Sequence, residues 1–235
     1  MKKYELCTND IIHHNSHVLK RIRALIDIPF HYVKCGDLGG YVESESNLSH
    51  DSLAWIADNS QVFGKAHITD FAIIKDSSRI YDEARICGYS QIISSEVSGH
   101  AVVKDHAVLK GYAEVCDFAE ISGHATISEA AIIQDNAKVY DHAHVSGANI
   151  SGDAQIYDHC FVDDQAEIEG HTHIYDYAQV NSDTHISGRA QIYGHAEISQ
   201  DAFIKDRVQV YDHVCVRGSV TLGGDLSLSG IGIIE

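Results

Sequence analysis

Residues 101–142 read AVVKDH AVLKGY AEVCDF AEISGH ATISEA AIIQDN AKVYDH and divide into hexads without remainder. The first position of each hexad is Ala, the third is aliphatic, and the fifth is mostly Gly or Asp. Positions one and three can point inward as on a short strand, and positions four to six can then turn a corner. This pattern predicts an all-β solenoid whose coils are buried by their neighbours.

The length of one coil follows from comparing hexads along the chain. The pattern extends over about residues 40–230, with slips in three hexads, which begin at Ser46, Ser90 and Ala143. Hexads three apart, such as AKVYDH and AQIYDH, resemble each other more than their immediate neighbours do, and both shortened hexads fall in one register. Three hexads, or about 18 residues, therefore form one triangular coil. We expect a single-stranded parallel β-helix of about ten coils.

The first 39 residues do not follow the repeat. We expect residues 1–39 to form a β-rich cap on the β-helix of residues 40–235, because an open coil end exposes unpaired strand edges. Within this segment HVLKRIRALIDI alternates as a strand that Pro29 ends. The residues predicted on its buried side are Val18, Ile22, Ala24, Ile26 and Ile28.

The formal charge of the chain is −17, divided into +2 over residues 1–39 and −19 over the remainder. Such an excess of acid argues against direct binding to nucleic acid. It is typical of a self-repelling surface, or of acidic corners offered to a basic protein partner, and both interpretations stay open. The six cysteines show no C-x-x-C spacing and indicate reduced thiols. With neither a signal peptide nor a membrane-length apolar run, we expect a cytoplasmic protein without membrane contact.

One register of hexads ends in histidine on most of its coils: His106, His124, His142, His159, His195 and His213. These side chains are expected to form a ladder at one corner, where residues that tolerate a positive φ are favoured. A catalytic base at a subunit boundary is a second interpretation. Metal binding needs three or four converging ligands, which a line along one edge does not supply, so no metal site is predicted.

Position four of the same register is tyrosine in five consecutive coils: Tyr140, Tyr157, Tyr175, Tyr193 and Tyr211. A ladder of like aromatics across parallel strands stabilises a sheet by itself. Tyrosine is also enriched at protein interfaces. We therefore take this Tyr/His edge as the candidate binding site, whereas the catalytic residues, if any, stay unidentified.

The hexad pattern of residues 40–230 resembles the hexapeptide-repeat acyltransferases, whose fold is a left-handed parallel β-helix. Residues 23–66, with Gly39-Gly40-Tyr41-Val42, are similar to the N-terminal part of the YdcK-type acyltransferase-like proteins. The resemblance implies left-handed coils, a homotrimer packed along its prisms, and acetyl-CoA or another acyl-CoA as cofactor. Bactofilin-like right-handed solenoids also use short repeats. The family's catalytic histidine usually lies on a loop that interrupts a coil, and no insertion here exceeds two residues.

Two functions are therefore expected. The first is a non-catalytic binding or assembly module that acts through the Tyr/His edge or the acidic corners. The alternative is an acyl-CoA-dependent transferase with its site between protomers, which rests on fold resemblance alone.

Overall fold

The computed structural model describes residues 2–235 and is built almost wholly of short strands. It is a parallel β-solenoid of about 11 turns with about 18 residues per coil and an antiparallel N-terminal part, which confirms the predicted fold class. The stacked parallel coils also support the left-handed hexapeptide-repeat fold that the resemblance implies. Two short 3₁₀ turns interrupt the strands of this range, at Pro29–His31 and Glu45–Asn47.

The chain divides into two compact units, one ending at Asp117 and the other spanning Phe118–Glu235. The first unit contains β1 (Tyr4–His14), β2 (His17–Ala24), β3 (Leu38–Val42), β4 (Trp55–Ile56), β5 (Gln61–Val62), β6 (His67–Ile68), β7 (Ile73–Lys75), β8 (Arg79–Ile80), β9 (Arg85–Ile86), β10 (Gln91–Ile93), β11 (Glu96–Val97), β12 (Val102–Val103), β13 (Val108–Leu109) and β14 (Glu114–Val115). Its strands pair in the orders β1-β2-β3-β5-β8-β11-β14, β4-β7-β10-β13 and β6-β9-β12.

The second unit contains β15 (Glu120–Ile121), β16 (Thr126–Ser128), β17 (Ile132–Ile133), β18 (Lys138–Val139), β19 (His144–Ser146), β20 (Asn149–Ile150), β21 (Gln155–Ile156), β22 (Phe161–Val162), β23 (Glu167–Ile168), β24 (His173–Ile174), β25 (Gln179–Val180), β26 (His185–Ile186), β27 (Gln191–Ile192), β28 (Glu197–Ile198), β29 (Phe203–Ile204), β30 (Gln209–Val210), β31 (His213–Val216), β32 (Thr221–Leu222), β33 (Ser227–Leu228) and β34 (Ile231–Ile234). Every third strand pairs, in the orders β15-β18-β21-β24-β27-β30-β33, β16-β19-β22-β25-β28-β31-β34 and β17-β20-β23-β26-β29-β32.

Positions one and three of the hexads form the core of both units, as the sequence predicts. Ile156, for example, pairs with Ile174 one coil later, and both are fully buried. Ala154 and Ala190 at position one are also fully buried, as are the larger Thr172 and Val208 at the same position. Each buried aliphatic side chain thus packs on an equivalent residue of the next coil.

The corners depend on position five. Asp and Gly at this position adopt a positive φ throughout both units, as at Asp141 (56°) and Gly123 (65°). The sequence also predicts a positive φ for the histidines at position six. This prediction is wrong, because none of the six candidate histidines has a positive φ. The residue before the histidine makes the turn, so the preference for His at position six needs a different reason.

The register with the two shortened hexads has a wider corner than the others. Its full-length hexads commonly place two consecutive residues at positive φ, as in Gly111-Tyr112 and Glu129-Ala130. Its shortened hexads use one such residue, Ser94 in the first unit and Gly147 in the second. A missing residue is therefore absorbed in the turn, and the neighbouring strands keep their register.

The N-terminal hairpin differs in one respect from its predicted alternation. Strand β2 pairs antiparallel with both β1 and β3. Ile22, Ala24 and Ile28 are buried as predicted and Ile26 is half-buried, but Val18 is exposed and Leu19 is buried instead. The pairing of β2 with β3 shifts between Arg21 and Arg23, and this irregularity changes which side chains before it face the core.

Candidate functional site

The five candidate tyrosines form one continuous stack in the second unit. Each follows a strand of the β15–β33 sheet, and successive ring centroids lie 4.7–5.0 Å apart with planes within 3° of parallel. This spacing equals the distance between hydrogen-bonded strands, so the repeat itself sets it. The stack covers the ring faces and leaves the ring edges and the hydroxyl groups to face outward.

Burial raises the pKa of four of these phenols, whereas side-chain hydrogen bonds with Ser229 and Ser227 lower the pKa of Tyr211. All five side chains are partly exposed. Burial, reinforced by the neighbouring tyrosines and aspartates, raises the pKa of Tyr157, and burial is also the main cause of the raised pKa of Tyr175 and Tyr193. The hydroxyl group of Tyr140 donates a hydrogen bond to Oε1 of Gln155 at 3.2 Å. The row therefore presents neutral hydroxyl groups that both donate and accept hydrogen bonds.

The histidine column lies at the corner that follows the tyrosines, and its side chains are exposed. In the second unit His124, His142 and His159 stack at 4.8–5.0 Å, and Tyr177 then separates them from His195 and His213. His106 belongs to the first unit, where it stacks on Tyr89 at 4.8 Å. Planar rings on successive coils stack well at this spacing, and this gives a reason for the aromatic side chains at position six.

Outward residues beside the tyrosine stack carry no fixed charge over four coils. On β21, β24, β27 and β30 these residues are Gln155, His173, Gln191 and Gln209. Burial and the nearby His171 lower the pKa of His173, which keeps its ring neutral at pH 7. The other two sheets of this unit carry charged outward residues such as Glu167 and Glu197. We call the outward side of β21, β24, β27 and β30, with the tyrosine stack and the adjoining histidine column, the Tyr/His face.

Aspartates of the same corner, each directly between a stacked tyrosine and position six, direct their carboxylates at the backbone. Asp158 accepts a hydrogen bond from the backbone N–H of Asp176 at 3.3 Å, and Asp176 accepts one from Gly194 at 3.1 Å. Asp212 makes the same contact with Gly230 at 2.9 Å. These carboxylates lie between the tyrosine stack and the histidine column, where each is hydrogen-bonded to the backbone of the next coil.

The chemistry of the Tyr/His face suits contact better than catalysis. The histidines lie along a line, and the described residues include no group of three or more His, Cys, Asp or Glu side chains that could hold a metal ion. The exposed groups are phenol hydroxyls, carboxamides, imidazoles and ring edges, which are the groups that form polar and aromatic protein contacts.

A second aromatic group lies in the first unit, and the sequence interpretation did not single it out. Phe30 packs on Phe71 and Tyr89, which stack on each other at 4.6 Å. The available signal was the short segment PFHY at residues 29–32, where three ring-bearing residues follow a proline outside the repeat.

No family model matches the chain, and no curated protein matches it. Among residues 2–235, no helical segment has the length and apolar character needed to cross a bilayer.

Proposed function

We propose that the chain is a non-catalytic assembly module, and that the Tyr/His face of its second unit binds a second copy of the chain. The observation that carries this proposal is a tyrosine stack that, from Tyr157 to Tyr211, lies beside the uncharged outward residues of β21, β24, β27 and β30 in a chain of net charge −17. Two copies of such an acidic chain repel each other, and the repulsion is weakest where both present a neutral surface.

A purely structural role for the tyrosines accounts for only part of this arrangement. Stacking across parallel strands explains the parallel rings and their spacing of about 5 Å. It does not explain why positions two and four of the hexads that contain β21, β24, β27 and β30 carry no Asp, Glu, Lys or Arg. On the same coils the other two sheets place charged side chains at several of these positions, namely Asp163, Glu167, Glu169, Glu197 and Lys205. An exposed surface gains solubility from charge, whereas the centre of a protein contact is depleted of it.

The proposal is tested by adding charge to this face. The double substitution Gln191→Glu/Gln209→Glu preserves side-chain size and adds two carboxylates beside the tyrosines. Because each partner then presents like charges, self-association should weaken by about tenfold or more. The matched control is Gln134→Glu/Gln179→Glu, which adds two charges to the other two sheets of the same unit.

Sedimentation velocity over a concentration series gives the dissociation constants. We expect the control to associate as the natural chain does and the Tyr/His-face variant to shift towards monomer. Equal association of both variants would show that the contact lies elsewhere, and circular dichroism checks that both keep their β structure.

Acyl transfer is the activity that the resemblance implies. It is distinguished from the assembly proposal by measuring the melting temperature with and without acetyl-CoA. A ligand at 100 times its dissociation constant adds about 2.7 kcal/mol to the free energy of unfolding. The assembly proposal predicts no shift. A shift that is lost on substitution of the histidines at the corner would assign this face to acyl-CoA chemistry instead.

A further inference from the structure

A cavity of about 510 Å³ lies in the first unit, between the N-terminal segment and one face of the coils. Its rim is formed by the aromatic loop, residues 28–33, and by side chains from three successive coils. The lining residues are Phe30, His31, Tyr32, Ala57, Phe71, Ile73, Lys75, Tyr89, Gln91 and His106. This volume falls in the range of about 300–1,000 Å³ that is typical of small-molecule sites.

The aromatic loop is closed by its own backbone. Ile28 and Val33 exchange two hydrogen bonds, of 2.8 and 3.2 Å, and form an antiparallel bridge. Between them the N–H of Tyr32 donates to the carbonyl of Pro29 at 3.1 Å. The loop therefore presents its side chains from a fixed backbone.

Tyr32 is held in a conformation that its side chain disfavours. Its φ is 59°, in the left-handed region, and its side chain is 91% exposed. A bulky residue in this region is unusual, and such strain is concentrated at functional sites. A glycine would turn this corner without strain, and unlike Tyr112, which is also exposed at a positive φ, Tyr32 lines an aromatic cavity.

Phe30 is the second exposed ring of the loop, at 50%. Its centroid lies 5.3 Å from that of Phe71 and 6.0 Å from that of Tyr89. Phe71 and Tyr89 stack in parallel, and Tyr89 stacks on His106. The cavity therefore has one wall of stacked rings and one of loop aromatics, which suits a planar ring.

The charge of the cavity is opposite to that of the chain. None of its described lining residues is Asp or Glu, whereas Asp82 and Glu83 line a neighbouring cavity of this unit and Asp76 and Glu96 line another. Lys75 lines the aromatic cavity, is partly buried, and has no ion-pair partner within residues 2–235. In a chain of net charge −17, a lysine without a carboxylate partner in an aromatic cavity favours an anionic ligand.

His31 keeps the loop side of the cavity uncharged. Burial, followed by the charge of Lys3, lowers the pKa of His31. Its Nε2 is buried without a hydrogen-bond partner among the described residues, which is consistent with the neutral ring. Lys75 is then the one fixed charge among the lining residues.

We propose that this cavity binds a small planar aromatic compound that carries an acidic group. The ring packs against Phe30 and Tyr32, the acidic group contacts Nζ of Lys75, and Gln91 supplies further hydrogen bonds. This site differs from the tyrosine stack, because all of its lining residues belong to the first unit; His106 is the member of the histidine column that also lines it.

The test compares two fluorescent probes that differ in one charged group. They are 8-anilinonaphthalene-1-sulfonate, an aromatic anion, and N-phenyl-1-naphthylamine, its uncharged counterpart. We expect the sulfonate to bind at one site per chain and about tenfold more tightly than the uncharged probe. Lys75→Met should remove this preference by weakening only the sulfonate. Lys110→Met is the matched control, because Lys110 occupies the same hexad position two coils later, away from the cavity.

A second pair of variants tests the aromatic wall. Tyr32→Gly removes the ring and suits the positive φ, so the loop should keep its fold while both probes bind more weakly. Phe30→Ala should weaken both probes as well. Equal affinity of the sulfonate for the natural chain and for Lys75→Met would overturn the proposal. Binding of several probes per chain that neither loop variant reduces would also overturn it.

Discussion

At the residue scale, position five of the hexad combines two functions. Its backbone takes the left-handed conformation that turns the corner, and at many corners its carboxylate also accepts the N–H of the corresponding residue on the next coil. Asp176 does both, with φ of 58° and a hydrogen bond of 3.1 Å from Gly194. Asp and Asn tolerate a positive φ better than most other residues with a Cβ, and Gly adopts it without steric strain.

We therefore expect a graded series at Asp176. Asp176→Asn keeps both the conformation and an acceptor oxygen, so its free energy of unfolding should lie within about 0.5 kcal/mol of the natural chain. Asp176→Gly loses the hydrogen bond, at a cost of about 1 kcal/mol. Asp176→Ala also forces a Cβ into the left-handed region and should lose about 2 kcal/mol. Urea denaturation measures the series, and equal losses for Gly and Ala would show that backbone strain is not involved.

At the element scale, Lys3, directly before β1, satisfies two backbone carbonyl groups of the first coil. Lys3 is fully buried, and its Nζ donates to the carbonyls of Ser52 at 3.0 Å and Ala54 at 2.7 Å. These carbonyls flank the position where the chain carries two extra residues. A buried backbone acceptor without a partner is costly, so Lys3 stabilises the irregular corner.

The burial of Lys3 gives stability a specific pH dependence. Burial lowers the pKa of Lys3 from 10.5 to about 8. Between pH 8 and 10 the unfolded chain keeps this proton and the folded chain loses it, so this group makes stability rise with pH, by about 1 kcal/mol per pH unit. Lys3→Met should remove this rise, whereas Lys2→Met, at an exposed neighbour, should keep it. Chemical denaturation across this window checks both, and identical slopes in all three proteins would contradict the assignment.

The coil is the element whose length the repeat specifies. Deleting residues 172–189 removes three hexads and lets Gln155 pair with Gln191 in the same register. Deleting residues 172–177 moves every later hexad of the unit to a different sheet and corner. The longer deletion should therefore keep cooperative unfolding and the β spectrum by circular dichroism, whereas the shorter one should lose cooperativity. Equal stability of the two deletions would contradict a three-hexad coil.

Sequence periodicity predicts contacts that recur at a fixed spacing. The buried alanines and isoleucines, the 18-residue coil and the tyrosine stack all follow from it. Contacts between residues of irregular sequence spacing cannot be predicted from periodicity. Val18 is exposed because of a register shift inside the hairpin. The cavity beside Phe30 and Tyr32 forms between a non-repeating loop and coils up to about 75 residues later, and no local pattern encodes that approach.

At the scale of the whole molecule, charge decides where two copies can meet. The net charge of −17 repels a second chain over most surfaces, and salt screens this repulsion. Contact through the neutral Tyr/His face should therefore persist or strengthen as salt rises. Binding of a basic partner through the acidic corners would weaken under the same conditions.

The central claim is that the chain assembles with itself through a neutral face, and the mass in solution tests it most directly. Sedimentation equilibrium of the natural chain at low and high salt compares the measured mass with the 25.8 kDa of one chain. We predict an integral multiple of that mass at micromolar concentration, with three copies expected from the family resemblance, and with equal or tighter association at high salt. A single 25.8 kDa species at every concentration and salt would contradict the account.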